Sequence, residues 1–180
     1  MDDQKVIQQV KHWLQRFVID LNLCPFARRE LAADNIRFVV SQAQSENDLT
    51  LALDAELTLL NARPEITTTL LVHPRVLSDF YDYNNYLNVA DALLQAQQLE
   101  GVYQIASFHP HYQFAHTQPD DAENYSNRAP YPLLHILRED TVTKAIDSYP
   151  DIDEIPANNI ARLNQIGSSA LKSMWLANRS

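Results

Sequence analysis

The run Ile66-Thr67-Thr68-Thr69-Leu70-Leu71-Val72 constrains the fold more than any other stretch of the chain. β-Branched and aliphatic residues follow one another without polar alternation, the composition of a strand covered on both faces. Such a strand needs partners above and below it, and helical periodicities stand on either side. Upstream, Ser45-Glu46-Asn47-Asp48 fits a capping box opening a helix with Leu49, Leu53, Leu57 and Leu60 inward. Downstream, Val76, Phe80, Tyr83, Leu87, Ala90 and Leu94 recur at alternating steps of four and three, which predicts a long helix to about Gln98, stopped near Gly101.

The remaining periodicities extend this pattern. Val6, Val10, Trp13, Phe17 and Leu21 form the stripe of a first helix. It ends near Asn22-Leu23-Cys24-Pro25, since Pro25 has no amide hydrogen and disfavours the helical region for Cys24. Arg28 to Ala33 reads as one more helical turn, Ile36 to Val40 as a short strand, and Val102 to Phe108 and Pro132 to Arg138 as two others. Asp140 to Ser148 is a short helix. The acidic turn Asp147 to Glu154, with Pro150, Asp151 and Asp153, precedes a last helix presenting Ile160, Leu163, Ile166, Ala170, Leu171 and Trp175. The expected fold is α/β, with α+β as the alternative. It is a small mixed sheet of about four strands packed with helices, parallel where a helix intervenes, with an antiparallel pair at the end. No linker divides residues 1–180, so a single compact domain is expected.

Composition narrows the function. With 46% apolar residues over 180 positions, the chain can bury a core without cross-links, and its lone cysteine, Cys24, forms no internal disulfide. A net charge of -9 argues against a nucleic-acid partner, because phosphate-backbone binding rests on clustered Lys and Arg. Gly101 and Gly167, the two glycines, are too far apart for a phosphate loop or a dinucleotide fingerprint. There is no apolar run of about 20 residues for a membrane span, and the start, Met1 to Lys5, is not a basic leader followed by an apolar stretch. A cytoplasmic protein without membrane contact is expected.

Chemistry concentrates between Phe108 and Glu139. His109, His111, His116 and His135 fall there among Tyr112, Asn127, Arg128 and Arg138. An imidazole that exchanges a proton near neutral pH makes His109 and His135 candidate catalytic residues. Cys24 joins them as a nucleophile if a histidine lowers its pKa; the competing reading is a small buried thiol beside Phe26. Arg128 and Arg138 offer forks of donors for a small anionic ligand, and Asn22, Tyr112 and Asn127 complete the candidate binding set. A further alternative assigns His109, His111 and His135 to a metal-dependent hydrolase-like site, in which a bound divalent ion would acidify water. Against these stands a purely architectural role, with Asn124 to Arg128 organising a turn and Arg138 pairing with a nearby carboxylate.

Three separated motifs carry a resemblance. Leu21-Asn22-Leu23-Cys24-Pro25-Phe26-Ala27, then Phe108-His109-Pro110-His111-Tyr112-Gln113-Phe114, then Asn127-Arg128-Ala129-Pro130-Tyr131-Pro132 with His135 and Leu137-Arg138-Glu139 occur in that order. The chain resembles the bacterial domain-of-unknown-function family 1415 over nearly its whole length. The resemblance implies a small bacterial cytosolic protein, transfers no catalytic role, and couples Cys24 to the later motifs as marks of one family.

The expectation is a ligand-binding or enzyme-like domain whose polar His/Arg/Asn pocket forms where Asn22 to Phe26 meets Phe108 to Tyr112 and Asn127 to Arg138. The rival is a non-catalytic interaction or scaffold domain, using the tyrosine-bearing helix or the last helix against a protein partner. Sequence does not choose the reaction, the substrate, the cofactor or the oligomeric state.

Overall fold

The computed structural model describes residues 2–149 and 152–177. In chain order the elements are α1 (Asp3–Trp13), α2 (Ala27–Ala32), β1 (Ile36–Val40), α3 (Glu46–Ala62), β2 (Thr68–Val72), α4 (Phe80–Ala96), β3 (Tyr103–Phe108), β4 (Leu133–Arg138), α5 (Glu139–Asp147), α6 (Ile155–Ile166) and α7 (Ser168–Ala177). The strands form one mixed sheet in the order β1-β2-β4-β3. β1 and β2 are parallel, whereas β4 runs antiparallel to β2 on one side and β3 on the other. Parallel pairing across a helix therefore holds for β1 and β2. β2 and β3 point the same way, but β4 stands between them. Its Leu133, Leu134 and Ile136 are fully buried, which suits a central position, while β3 is half-buried beyond Tyr103 and takes the edge.

Helices cover both faces, as the Thr68–Val72 strand requires: all five of its residues are buried. On one face Leu49, Leu53, Leu57 and Leu60 of α3, with Tyr83, Tyr86, Ala90 and Leu94 of α4, pack on Leu71, Leu134 and Ile136. On the other, Val6, Val10, Trp13 and Phe17 meet Leu70, Val72 and Leu133, joined by Leu163, Leu171 and Trp175. The result is a three-layer α/β/α sandwich.

Local chemistry explains most boundaries and corrects some. The Ser45 box forms as expected, the Ser45 hydroxyl accepting from the Asp48 amide at 3.1 Å and the Asp48 carboxylate from the Ser45 amide at 3.1 Å. The first helix passes into a π-helical stretch, Leu14–Ile19, and ends where Asn22 takes φ 57°. α4 starts at Phe80 rather than Val76, because the Asp79 side chain caps it by accepting from the amides of Tyr81 and Asp82. It stops at Ala96, before Gly101. Gln98 occupies the left-handed position (φ 58°), with Leu99 N–H donating to Leu94 O at 2.9 Å and Gln98 N–H to Gln95 O at 3.0 Å, a Schellman closure. The last helix is broken in two at Gly167 (φ 83°), and Ile160 and Ala170 face solvent rather than the core. Pro150 and Asp151 of the acidic turn lie outside the described residues.

Candidate functional site

Partners opposite each other in an antiparallel pair share a sheet face. Phe108 pairs with Leu133 and Ala106 with His135, so His135 faces the α1 side together with Phe108. His109, one residue on, turns to the α4 side. The two candidate catalytic imidazoles are therefore on opposite faces of the sheet.

His109 is fully buried at the carboxyl end of β3. Its Nε2 lies 3.2 Å from the Leu77 carbonyl, and its Nδ1 lies 3.1 Å from the His111 amide. A carbonyl only accepts and an amide only donates, so the proton sits on Nε2 and the ring is neutral. Phe80 and Tyr83 pack on it, with ring centroids 5.4 and 5.1 Å away. Burial, aided by His111 and opposed by the Leu77 bond and Asp79, pushes its pKa down to about 4.

A second histidine, His73, belongs to none of the three motifs. It sits at the carboxyl end of β2 with no exposed surface. Its Nδ1 donates to Val76 O at 3.1 Å, its Nε2 is buried without a partner, and burial lowers its pKa to about 4. The signal that would have found it is the repeated pair His73-Pro74 and His109-Pro110, each directly after a strand, β2 and β3, which run in the same direction. Together the two imidazoles grip consecutive carbonyls, Val76 and Leu77, of a turn in which Leu77 holds the left-handed φ of 57°.

The other motif residues are committed to the backbone. Tyr83 Oη donates to Leu133 O at 2.8 Å and accepts from the Phe108 amide at 2.9 Å. Asn127 Nδ2 donates to Ser107 O at 3.0 Å, and the His109 amide to Asn127 O at 3.1 Å. Fully buried Asn124 binds the Phe114 amide, the Thr117 hydroxyl and Gln118 O. Arg128 donates from Nε to Tyr112 O at 3.1 Å and from Nη2 to Pro119 O, with its guanidinium 4.6 Å over the Tyr125 ring. Tyr112 packs between Phe80 and Phe114, and its hydroxyl accepts from Ser107 Oγ at 3.3 Å.

Arg138 is elsewhere. It ends β4 and gives Nε to Ile66 O at 2.9 Å, Nη1 to Tyr103 Oη at 3.0 Å and Nη2 to Leu60 O and Arg63 O. The five strand steps from Leu133, near the His109 end, span roughly 17 Å at about 3.4 Å per residue. The two arginines accordingly form no shared clamp for an anion, and neither pairs with a carboxylate within salt-bridge distance among the described residues. Nor do His109, His111 and His135 converge: β alternation separates His135 from the other two, both His109 nitrogens are occupied, and no metal-binding group of three His, Cys, Asp or Glu exists among the described residues.

Two candidates keep their reactive atoms available. Cys24 is half-buried at the rim of the α1-side core that Phe108 and Leu133 enter. Its turn is fixed by Asn159 Nδ2, which donates to Leu23 O at 2.8 Å, and by Phe26 against Tyr149 at 5.8 Å. Exposed Asn22 supplies the turn's left-handed residue. His135, on the same side of the sheet, is half-buried with its ring 6.1 Å from that of Phe108, and it makes no hydrogen bond to a described residue. Desolvation pushes its pKa down to about 4. Shallow grooves occur apart from these residues, one of about 390 Å³ beside Lys11 and Phe38 and one of about 360 Å³ beside His12 and Met174. For a protein partner, Tyr81 of α4 and Leu176 of α7 are exposed, while Tyr83 and Tyr86 belong to the core.

None of the described helices is long and apolar enough to cross a membrane. No curated protein and no solved structure matches the chain. A family model matches residues 5–173, nearly all of the sequence and all three motifs; the chain belongs to the family described as protein of unknown function DUF1415.

Proposed function

We propose that this chain is a bacterial cytosolic ligand-binding domain of enzyme-like design, working on the α1 side of its sheet, where Cys24 and His135 both lie. The observation that carries the reading is the state of His135. His109, Asn127, Arg128 and Arg138 spend their polar atoms on the backbone, whereas His135 enters the domain with its ring nitrogens uncommitted. A neutral, partly desolvated imidazole on the same face as a half-buried thiol supports acid–base or nucleophilic chemistry on a small molecule. With the arginine forks engaged, recognition falls to Cys24, His135 and the rings around Phe108 rather than to an anion clamp.

Alkylation of Cys24 by iodoacetamide, followed by mass spectrometry between pH 6 and 9, tests the pairing. The reading expects His135→Phe to slow alkylation. In protein-observed NMR, binders from a fragment collection should move the His135 ring resonances. An alkylation rate indifferent to His135, together with no fragment that shifts His135 or Cys24, would sink the proposal and favour the interaction-domain reading.

A further inference from the structure

The His109 ring joins two loops that emerge from different strands. Through Nε2–H it holds Leu77 O, in the turn between β2 and α4; through Nδ1 it receives the His111 amide, in the loop after β3. Tyr112 N–H also closes onto His109 O at 3.1 Å. Beyond this point the loop carries exposed His111, half-buried Tyr112 and exposed Phe114, the last two in ring contact at 4.9 Å. The two contacts differ in their response to a proton. The bond to Leu77 survives, because Nε2 is a donor in both states of the ring. The bond from His111 does not, because a protonated Nδ1 would face an N–H with an N–H.

We propose that His109 is a proton-operated latch: its neutral form holds the Pro110–His111 turn against the body of the domain, and protonation at Nδ1 releases that turn, while the β2–α4 turn stays attached and Arg128 and Asn124 keep Tyr112 O and the Phe114 amide. The groups facing the ring fit this role. His73 and Asp79 approach from the turn, Phe80 and Tyr83 from α4, and His111 and Tyr112 from the loop itself. Asp79 favours the charged ring and His111 opposes it, while apolar packing by Phe80 and Tyr83 keeps the closed state neutral. His73 retains its own grip on Val76 O, so the turn does not depend on His109 alone. Release would loosen the exposed His111 corner beside the Tyr112–Phe114 ring pair.

Native-state amide exchange on the full chain, measured between about pH 6.5 and 5 and corrected for intrinsic exchange, tests the latch. The opening constant of the His111 amide should rise about tenfold per pH unit, the signature of one proton taken up on opening. Amides of Leu71 and Leu134, in the central strands, should remain in a deeper class with a steeper dependence. His109→Asn keeps an acceptor for the His111 amide but cannot titrate, so its His111 opening should become independent of pH. Should that variant fail to fold, imidazole nitrogen spectra of the wild type decide: Nε2 must carry the proton and Nδ1 must be bare at pH 6.5. The opposite tautomer overturns the proposal. So does a His111 amide that opens only together with Leu71 and Leu134, or one whose opening does not respond to pH.

Discussion

Acid should unfold this protein through its histidines before its carboxylates matter. His73, His109 and His135 each fall from 6.5 to about 4 in the folded state, chiefly through burial. The unfolded chain thus binds more protons than the folded one between these values, and stability rises with pH across that window. The contribution is fully present above about pH 6.5 and is lost as pH falls towards about 4. A lowering of this size is worth about 3 kcal/mol per imidazole, so the three together approach the whole stability of an ordinary domain, about 5–15 kcal/mol. From about pH 7.5 to 5.5 each histidine forfeits roughly 1 to 2 kcal/mol, about 4 kcal/mol in all, with His135 at the low end because solvent reaches part of it. Urea unfolding followed by far-UV circular dichroism at several pH values across that range measures the loss directly. His135→Phe, which continues the apolar contact with Phe108, should reduce the slope by about a third. A folding free energy that changes by less than about 1 kcal/mol over this range would refute the reasoning, because the three rings would then be protonated without cost in the folded state.

Other substitutions separate architecture from chemistry. Gln98→Gly should stabilise the chain by about 1 kcal/mol, since a side chain now occupies the left-handed position closing α4; a thermal midpoint raised by several degrees checks this. Tyr83→Phe removes the partner of both Leu133 O and the Phe108 amide and should cost about 2–3 kcal/mol in chemical denaturation, with no change in Cys24 alkylation in the folded protein. Arg138→Met leaves Ile66 O without its donor and takes the second donor from Leu60 O and Arg63 O, which keep the amides of Arg63 and Ile66, with an expected loss of about 2 kcal/mol; Arg138→Lys should recover less than half, because an ammonium cannot span the positions that the guanidinium fork reaches.

The layered fold was legible because its strongest signals are local. The Ile66–Val72 run demanded cover on both sides, and the Ser45 box and the leucines of α3 supplied one layer. Strand order was not legible, since the β-branched composition of β2 and the leucines of β4 state how deeply each strand lies and not which strand adjoins it. The single last helix failed at Gly167 because α6 and α7 bury Leu163, Leu171 and Trp175 in the same core, so the apolar spacing continues through the break. At the candidate site, the sequence marked residues that matter without showing what they hold. Asn127, Arg128 and Arg138 read as ligand groups because their donors are numerous, yet carbonyls elsewhere in the chain consume most of those donors. The facing of His109 and His135 was fixed by register, which no spacing in a single strand reveals. His73 went unnoticed as a candidate for want of comparison with the other His-Pro pair.

The insertion of β4 between β2 and β3 bears on how the molecule is made. When β3 leaves the ribosome, its neighbour in the sheet has not yet been synthesised, and β2 exposes an apolar edge to whatever is nearby. In the finished sheet β2 and β3 stand apart by one strand, with α4 connecting them in the chain, and Leu133 to Arg138 fills the slot between them. A nascent chain stalled before Pro132 is then a half-sheet with two open edges, the state most exposed to aggregation. The Phe108 amide donates to Tyr83 Oη and Asn127 Nδ2 to Ser107 O at the end of β3, and both partners precede β4 in the chain, so these contacts mark the slot that β4 fills.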